Sequence, residues 1–479
     1  MRDLLKAILK TGSGSVAAVI FGVITVKLIA WRLGPAALGS FSLTRQWIVA
    51  GSALFVTGGQ TALVQGMANR RGRDREAFTS TAFALLGFGC LLVAALVGLS
   101  IAVFGRSLCP GLDPATGLLV AASIAISGPM TIVFGTLNAT RRIGWLALAQ
   151  AINAASLALM VWMLLGSFRS DQPVWFAAVL AASQIPGILL GGVVLAKSRE
   201  VKLCWQFSLE AGAHFARIAL ATAAAAGLQA WTVLFIRSSI TARLGLGASG
   251  IFDAAWSLSM VYVMLILGSF STYYLPALAG AGSETRRLIN DVLRTTLLLV
   301  VPLVALVMTL RSLVLVVLYS SQFFSAGTMM RWMFLGDFFK VVGFVLAMPM
   351  VARPDLRAFL LGEIGWNALM LGGSQLVLAV RKDTEGIGVV FAITYLAYLI
   401  YALRYCRKTL DWHWPRDLQP GLLVGCGILA AVSVITWSGQ EVRLPALAIT
   451  VVGAIVQARV LLRKNSVIAT QAIAAEAEA

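Results

Sequence analysis

Stretches of about 20 apolar residues, nearly free of charge, recur along the whole chain with short breaks between them, and a helix of that length crosses a hydrocarbon core about 30 Å thick. A chain built this way folds as an all-α polytopic membrane protein. Its 12% of charged residues, against about 25% in a soluble domain, and its mean hydropathy of +0.88 agree. The spans read near 13–33, 46–68, 78–104, 117–138, 145–166, 175–196, 213–239, 248–274, 292–310, 329–350, 357–380, 386–403, 420–437 and 444–462, about fourteen transmembrane helices. No stretch is left for a large soluble domain. The first apolar run lacks a small-residue cleavage site and flows into a full span, so it reads as a retained helix.

The net charge of +18 is first of all a topology signal. With the N-terminus in the cytoplasm, the breaks NRRGRDREA, NATRRIG, KSREVK, SETRRL, ARPDLR and RYCRKTLDWHWPR share one side with both termini. Together those regions hold 22 Lys and Arg, against 8 in the opposite loops. Both termini are therefore expected in the cytoplasm, and a nucleic-acid partner loses its support. The five cysteines, Cys90, Cys109, Cys204, Cys406 and Cys426, show no paired spacing, and His214 and His413 stand alone on their segments. No metal site and no cofactor is expected.

An internal repeat organises the chain. Residues 32–41 read RLGPAALGSF and residues 243–252 read RLGLGASGIF, agreeing at six of ten positions. Each copy follows an apolar helix with a late cation, Lys27 in the first and Arg237 in the second. Six helices lie between the copies, so both point the same way, as in transporters built from two parallel six-helix halves. The expected division is 1–210, 211–405 and a third segment, 406–479, holding two additional helices and a tail. Two related bundles place a cleft at the bilayer midplane that rocking exposes to each side in turn.

Charges inside spans carry the functional reading, because one at a helix centre costs about 2.5–3.5 kcal/mol on insertion scales and needs a partner, a wet cavity or a route to the surface. Lys27 lies roughly 21 Å along its helix, as an anion binder in a cavity or as a snorkelling lysine. Arg45, at the start of the second span, and Arg237, late in the seventh, either line the outer half of the cleft or anchor at the interface. Arg142 and Arg357 occupy equivalent cytoplasmic turns, as substrate contacts or as topology anchors. Asp253, opening the eighth span, and Glu363, two turns into the eleventh, pair with a cation or bind a coupling proton. Asp337 and Lys340 sit three residues apart on one helix face, as a self-neutralising pair or as a cleft-facing pair whose lysine meets an anionic substrate. Cations outnumber acids in this set, which points to an anionic substrate; phosphate or pyrophosphate suits a mixture of guanidinium and ammonium groups.

The segments KLIAWRLGPAALGSFSLTRQW (27–47), SFSTYYLPALA (269–279) and FLGDFFKVVGFVLAMPMVARPDLRAFLLGE (334–363) resemble the Wzx-type translocases of O-antigen and enterobacterial common antigen (lipid III). These belong to the MOP superfamily, with the MATE multidrug exporters and the peptidoglycan-precursor flippase MurJ. The resemblance covers roughly residues 10–405 and implies a MATE/MurJ-like fold in a bacterial inner membrane. It also implies a flippase that moves an undecaprenyl-pyrophosphate-linked oligosaccharide repeat unit from the cytoplasmic to the periplasmic leaflet by alternating access. By position, Lys27 and the Arg45–Gln46 pair fall on the family's first motif, Arg237 on its helix 7 basic position, and Asp337 with Lys340 on its GDxxK motif. Arg357 and Glu363 fall on the segment that follows. Gln65 and Met260 stand where the family carries a lysine and an acid, and Asp253 where a glutamine is usual.

The expected partners are the lipid-linked oligosaccharide and membrane lipids, with polysaccharide polymerase machinery as a further partner this reading leaves open. A MATE-like, cation-coupled multidrug exporter is the first rival, and it calls for an acid-rich cleft. A membrane enzyme such as a polymerase or ligase calls for a large outer loop, and the outer loops here are short, so no enzymatic activity is expected. A membrane scaffold without transport is the third alternative.

Overall fold

A computed structural model describes the backbone of residues 2–108, 112–166, 172–198, 207–353, 355–437 and 443–477, with the side chains of 1–16, 104–111, 264–266, 268–273, 443 and 463–477 outside the description. Cys109, Cys204, part of the KSREVK break and part of the SFSTYYLPALA segment therefore lie outside the described residues.

Among the described residues there is no strand, and the chain forms fourteen helices. They are α1 (Arg2–Arg32), α2 (Gly34–Ala68), α3 (Gly72–Leu108), α4 (Pro114–Ala139), α5 (Ile143–Met163), α6 (Pro173–Ser198), α7 (209–244), α8 (246–280), α9 (Thr285–Leu318), α10 (Ala326–Ala352), α11 (Leu356–Val380), α12 (Glu385–Leu410), α13 (Gln419–Ile435) and α14 (Arg443–Ala477). Ten of these, with α7 and α8 taken together, are long and apolar enough to cross a membrane. Proline in the first turn, where its missing N–H is no loss, starts α2, α4 and α6. Hydroxyls inside the helices turn back onto their own carbonyls, as Thr25 donates to Phe21 at 2.8 Å and Ser52 to Ile48 at 2.7 Å. That satisfies polar groups where no water is at hand. Large apolar side chains face outward, Leu118 at 73% exposure and Phe88 at 69%, as suits a surface against lipid.

The chain divides into two compact units, one of residues 1–253 with 318–322, the other of 254–317 with 323–479. In the first, α1 packs on α5 and α3 on α4, around a core that includes Leu43, Trp47, Ile101, Ile124 and Leu234. In the second, α10 packs along α12, and α13 pairs with α14. Met329, Phe334, Asp337, Val341 and Val345 are all fully buried, so α10 is the innermost helix of that unit.

Two helix starts differ from the sequence reading. The second helix begins at Gly34, well before the expected start at 46, and the eighth begins just after Gly245. Gly34 and Gly245 both take left-handed backbone, at φ 80° and 86°, and each turns the chain from one helix into the next with almost no loop. Arg45 and Asp253 therefore lie inside helices rather than at their starts.

The same two segments meet. A Cβ placed on Gly39 would fall 2.0 Å from the Leu246 carbonyl oxygen and 2.8 Å from Gly250 N. One placed on Gly250 would fall 1.9 Å from the Pro35 carbonyl oxygen and 3.0 Å from Gly39 N. Pro35 and Leu246 are equivalent in the repeat, as are Gly39 and Gly250, so the contact is reciprocal about a local two-fold relation. Backbone approach of this kind is open only to glycine and is a recurrent way for membrane helices to cross.

Candidate functional site

In the first unit the site is built where α2, α7 and α8 come together. Arg237 on α7 and Asp253 on α8 form an ion pair at 2.6 Å, each residue 5% exposed. Sixteen residues of straight helix would hold them about 24 Å apart, so this contact exists because the chain folds back at Gly245. The guanidinium also lies 5.7 Å from the ring centroid of Phe252. Arg45 on α2 stands within electrostatic reach of both partners, and its side chain is exposed. Since Asp253 already neutralises Arg237, Arg45 supplies the accessible positive charge of this group.

Gln46, next along α2, points elsewhere: its amide donates to the Ala230 carbonyl at 2.9 Å and ties α2 to α7. Trp47 and Trp231 extend the same seam in an edge-to-face contact at 6.1 Å. Lys27 is half-buried and donates to the Tyr319 carbonyl at 2.7 Å, where residues 318–322 dock onto the end of α1. Ser320 donates to Ala30 at 3.4 Å in the same place. The lysine thus holds the end of α9, whose carbonyls carry the negative pole of the helix.

In the second unit the site is the buried face of α10. Asp337 is fully buried, and its two oxygens accept separate hydrogen bonds, from Ser259 Oγ at 2.7 Å and Tyr262 OH at 2.6 Å. Lys340, one turn on, forms no ion pair with it among the described contacts. Its Nζ instead donates to Met260 Sδ at 3.2 Å and lies 5.3 Å from the ring centroid of Tyr395. The spacing of three does put both groups on one face, but neighbouring α8 supplies two hydroxyls that hold the carboxylate, and the short pair does not close. Met260, at the position where the family resemblance leads one to expect an acid, meets Lys340 with a thioether. Glu363 on α11 is half-buried within electrostatic reach of Tyr395 and Tyr398.

Arg142 and Arg357 lie at helix starts. Arg142 ends the turn before α5, its backbone closing onto the Leu137 carbonyl at 2.8 Å. Arg357 is exposed in the first turn of α11, beside the Asp355 cap that accepts from Ala358 N at 3.1 Å. Ser259, Tyr262, Tyr395 and Tyr319 were not singled out from the sequence. A serine and a tyrosine three apart on an apolar helix, as Ser259 and Tyr262 are, is the faint signal available for the first two.

Arg331 belongs to a different cluster. It pairs with Glu385 at 2.9 Å and stacks 4.0 Å from the Trp437 ring centroid, while Trp332 donates to the same carboxylate at 3.3 Å. With Arg311 bonded to Thr436, these residues fix the end of α13 to α9, α10 and α12. No group of three or more His, Cys, Asp or Glu suited to a metal ion occurs among the described residues.

The fold is similar to that of solved membrane transporters described as members of the MOP superfamily. The structure is similar to the lipid II flippase MurJ in an inward closed conformation, with a TM-score of 0.74 at 14% identity over 96% of this chain and 99% of that one. It is also similar to an inward-facing MATE family multidrug resistance transporter of the MOP superfamily, with a TM-score of 0.65 at 15% identity over 90% of this chain and 99% of that one. Along the sequence the chain is similar to the lipid III flippases of Escherichia coli (strain K12) and Shigella flexneri, each 27% identical over 427 residues, 83% of this chain and 96% of theirs. No family model matches the chain. The resemblance to the lipid III translocases read from the motifs stands, and so does the fold class.

Proposed function

We propose that the chain is a flippase that carries an undecaprenyl-pyrophosphate-linked oligosaccharide repeat unit from the cytoplasmic to the periplasmic leaflet of a bacterial inner membrane by alternating access. The observation that carries this reading is the surplus of positive charge at membrane depth. Arg45 and Lys340 have no ion-pair partner among the described contacts, while Asp253 and Asp337 are engaged by Arg237 and by two hydroxyls. An uncompensated cation in a span is costly, and an anionic substrate repays that cost when it binds. The similarity to lipid III flippases over nearly their whole length supports a lipid-linked sugar as that substrate. An exporter of cationic drugs would want accessible acids, whereas Asp253 and Asp337 are buried and occupied.

In this reading Arg45 and Lys340 bind the pyrophosphate, and Arg237, Lys27 and Gln46 position the helices that carry them. Arg142 and Arg357 meet the head group at the cytoplasmic surface, and Asp337, Glu363 and the Arg237–Asp253 pair change protonation or partner during the cycle. The halves 1–210 and 211–405 act as the two moving bodies, 406–479 is an addition to them, and both termini face the cytoplasm. The test is reconstitution with a labelled polyprenyl-pyrophosphate oligosaccharide and measurement of its appearance in the opposite leaflet. Movement that depends on Arg45 and Lys340 supports the reading. Export of a cationic dye without movement of the lipid overturns it.

A further inference from the structure

The surroundings of Lys340 are unusual for a buried ammonium. Its contacts are a thioether at 3.2 Å and an aromatic face at 5.3 Å, and the one carboxylate within electrostatic reach, Asp337, is held off by Ser259 and Tyr262. A thioether is a weak acceptor, and a cation–π contact contributes about 0.5–2 kcal/mol. Both are far weaker than a close carboxylate in a low-dielectric interior. The aromatic face is held firmly: Tyr395 packs edge-to-face on Phe391 at 4.7 Å and against Trp366 at 5.7 Å. Phe391 in turn lies against Gly336, where a Cβ would fall 2.5 Å from its ring. The same α10 turn that carries the acid and the base is thus fitted to the helix that carries Tyr395.

We propose that Met260 and Tyr395 are positioning residues that form a charge-free cradle for Lys340, keeping its ammonium in place yet unpaired so that an anionic substrate group can claim it. Ser259 and Tyr262 complete the arrangement by retaining Asp337. The inference deepens the flippase reading and rests on it for the identity of the anion. A carboxylate at position 260 would compete with the substrate anion for Lys340; an amide of the same shape would not. That contrast separates a charge-specific role from simple packing.

The experiment uses the purified full chain in detergent with farnesyl pyrophosphate as probe and farnesol as its uncharged control. Met260→Glu is expected to bind farnesyl pyrophosphate at least about tenfold more weakly than Met260→Gln. Equal binding by the two overturns the proposal. A thermal-stability cycle reads the cradle without any ligand: Met260→Glu against Met260→Gln is compared with Lys340 present and in a Lys340→Gln background. The glutamate is expected to raise Tm relative to glutamine only when Lys340 is present, and absence of coupling overturns the proposal. If Met260→Glu does not fold, Tyr395→Leu against Tyr395→Phe decides, because phenylalanine keeps the ring face. Leucine should bind the probe at least about threefold more weakly, and equal affinity overturns the cradle. A wild-type chain that binds farnesol as tightly as farnesyl pyrophosphate overturns the pyrophosphate reading instead, and the stability cycle still judges the cradle.

Discussion

Gly39 and Gly250, equivalent positions of an internal repeat, meet backbone to backbone, each with its missing side chain over the other's helix. Because the contact is reciprocal, the two sites should respond alike. Alanine at either would drive a Cβ into a carbonyl oxygen and force the helices apart, at about 1–3 kcal/mol or more. Gly39→Ala and Gly250→Ala should therefore lower Tm by similar amounts, while Gly227→Ala, with nothing within 4 Å, should not lower it. Thermal unfolding in detergent checks this, and unequal effects at the pair would contradict the two-fold relation.

The turns that launch the two repeat segments make a separate prediction. At Gly245 a Cβ meets nothing within 4 Å, so any cost of Gly245→Ala comes from the left-handed backbone alone, about 1–2 kcal/mol. Gly34→Ala should cost at least as much, because Gln322 Oε1 lies 2.6 Å from its Cβ position. Chemical denaturation of the two variants gives the comparison.

The Arg237–Asp253 pair is buried, so removing one partner strands the other. Asp253→Asn alone should destabilise by about 3–5 kcal/mol, and Arg237→Gln with Asp253→Asn together by clearly less than the sum of the single changes. Denaturant unfolding of the four proteins checks the cycle. Additive losses would show that the two groups do not depend on each other.

Lys27 has an acceptor within the chain, the Tyr319 carbonyl. A hydrogen bond from a charged donor contributes about 1.5–3 kcal/mol, so Lys27→Met should destabilise by about that much, with Lys27→Arg retaining part of it. Thermal unfolding distinguishes this from a purely substrate-binding lysine, whose loss would leave Tm in place.

Much of this architecture is legible in the sequence, for physical reasons. The succession of apolar helices follows from the bilayer's thickness, ten of them, with α7 and α8 taken together, being long and apolar enough to cross it. The repeat at 32–41 and 243–252 stands out because glycine suits the turn at Gly34 and Gly245 and the crossing at Gly39 and Gly250. The face shared by Asp337 and Lys340 follows from helical periodicity. What they touch does not: Ser259, Met260 and Tyr262 lie on α8, and Tyr395 on α12, brought in by tertiary packing that local pattern does not encode. Arg237 and Asp253 could each be flagged as a buried charge, and the break between the spans 213–239 and 248–274 marks the fold-back, but which cation meets which acid across it is set by tertiary packing. Arg45 and Gln46, adjacent in one motif, separate into an exposed cation and a structural amide because neighbouring residues on a helix point about 100° apart.

The most direct test is leaflet-to-leaflet movement of a labelled polyprenyl-pyrophosphate oligosaccharide in proteoliposomes carrying wild type, Arg45→Gln or Lys340→Gln. Arg45 makes no ion pair among the described contacts, so its loss strands no buried partner, and Arg45→Gln should be at least as stable as wild type. Wild type should move the lipid, and each variant, still folded, should move it at least about tenfold more slowly, the factor that about 1.4 kcal/mol of lost binding produces. Wild-type rates in both folded variants, or no movement by the wild type, would contradict a cationic path for the pyrophosphate.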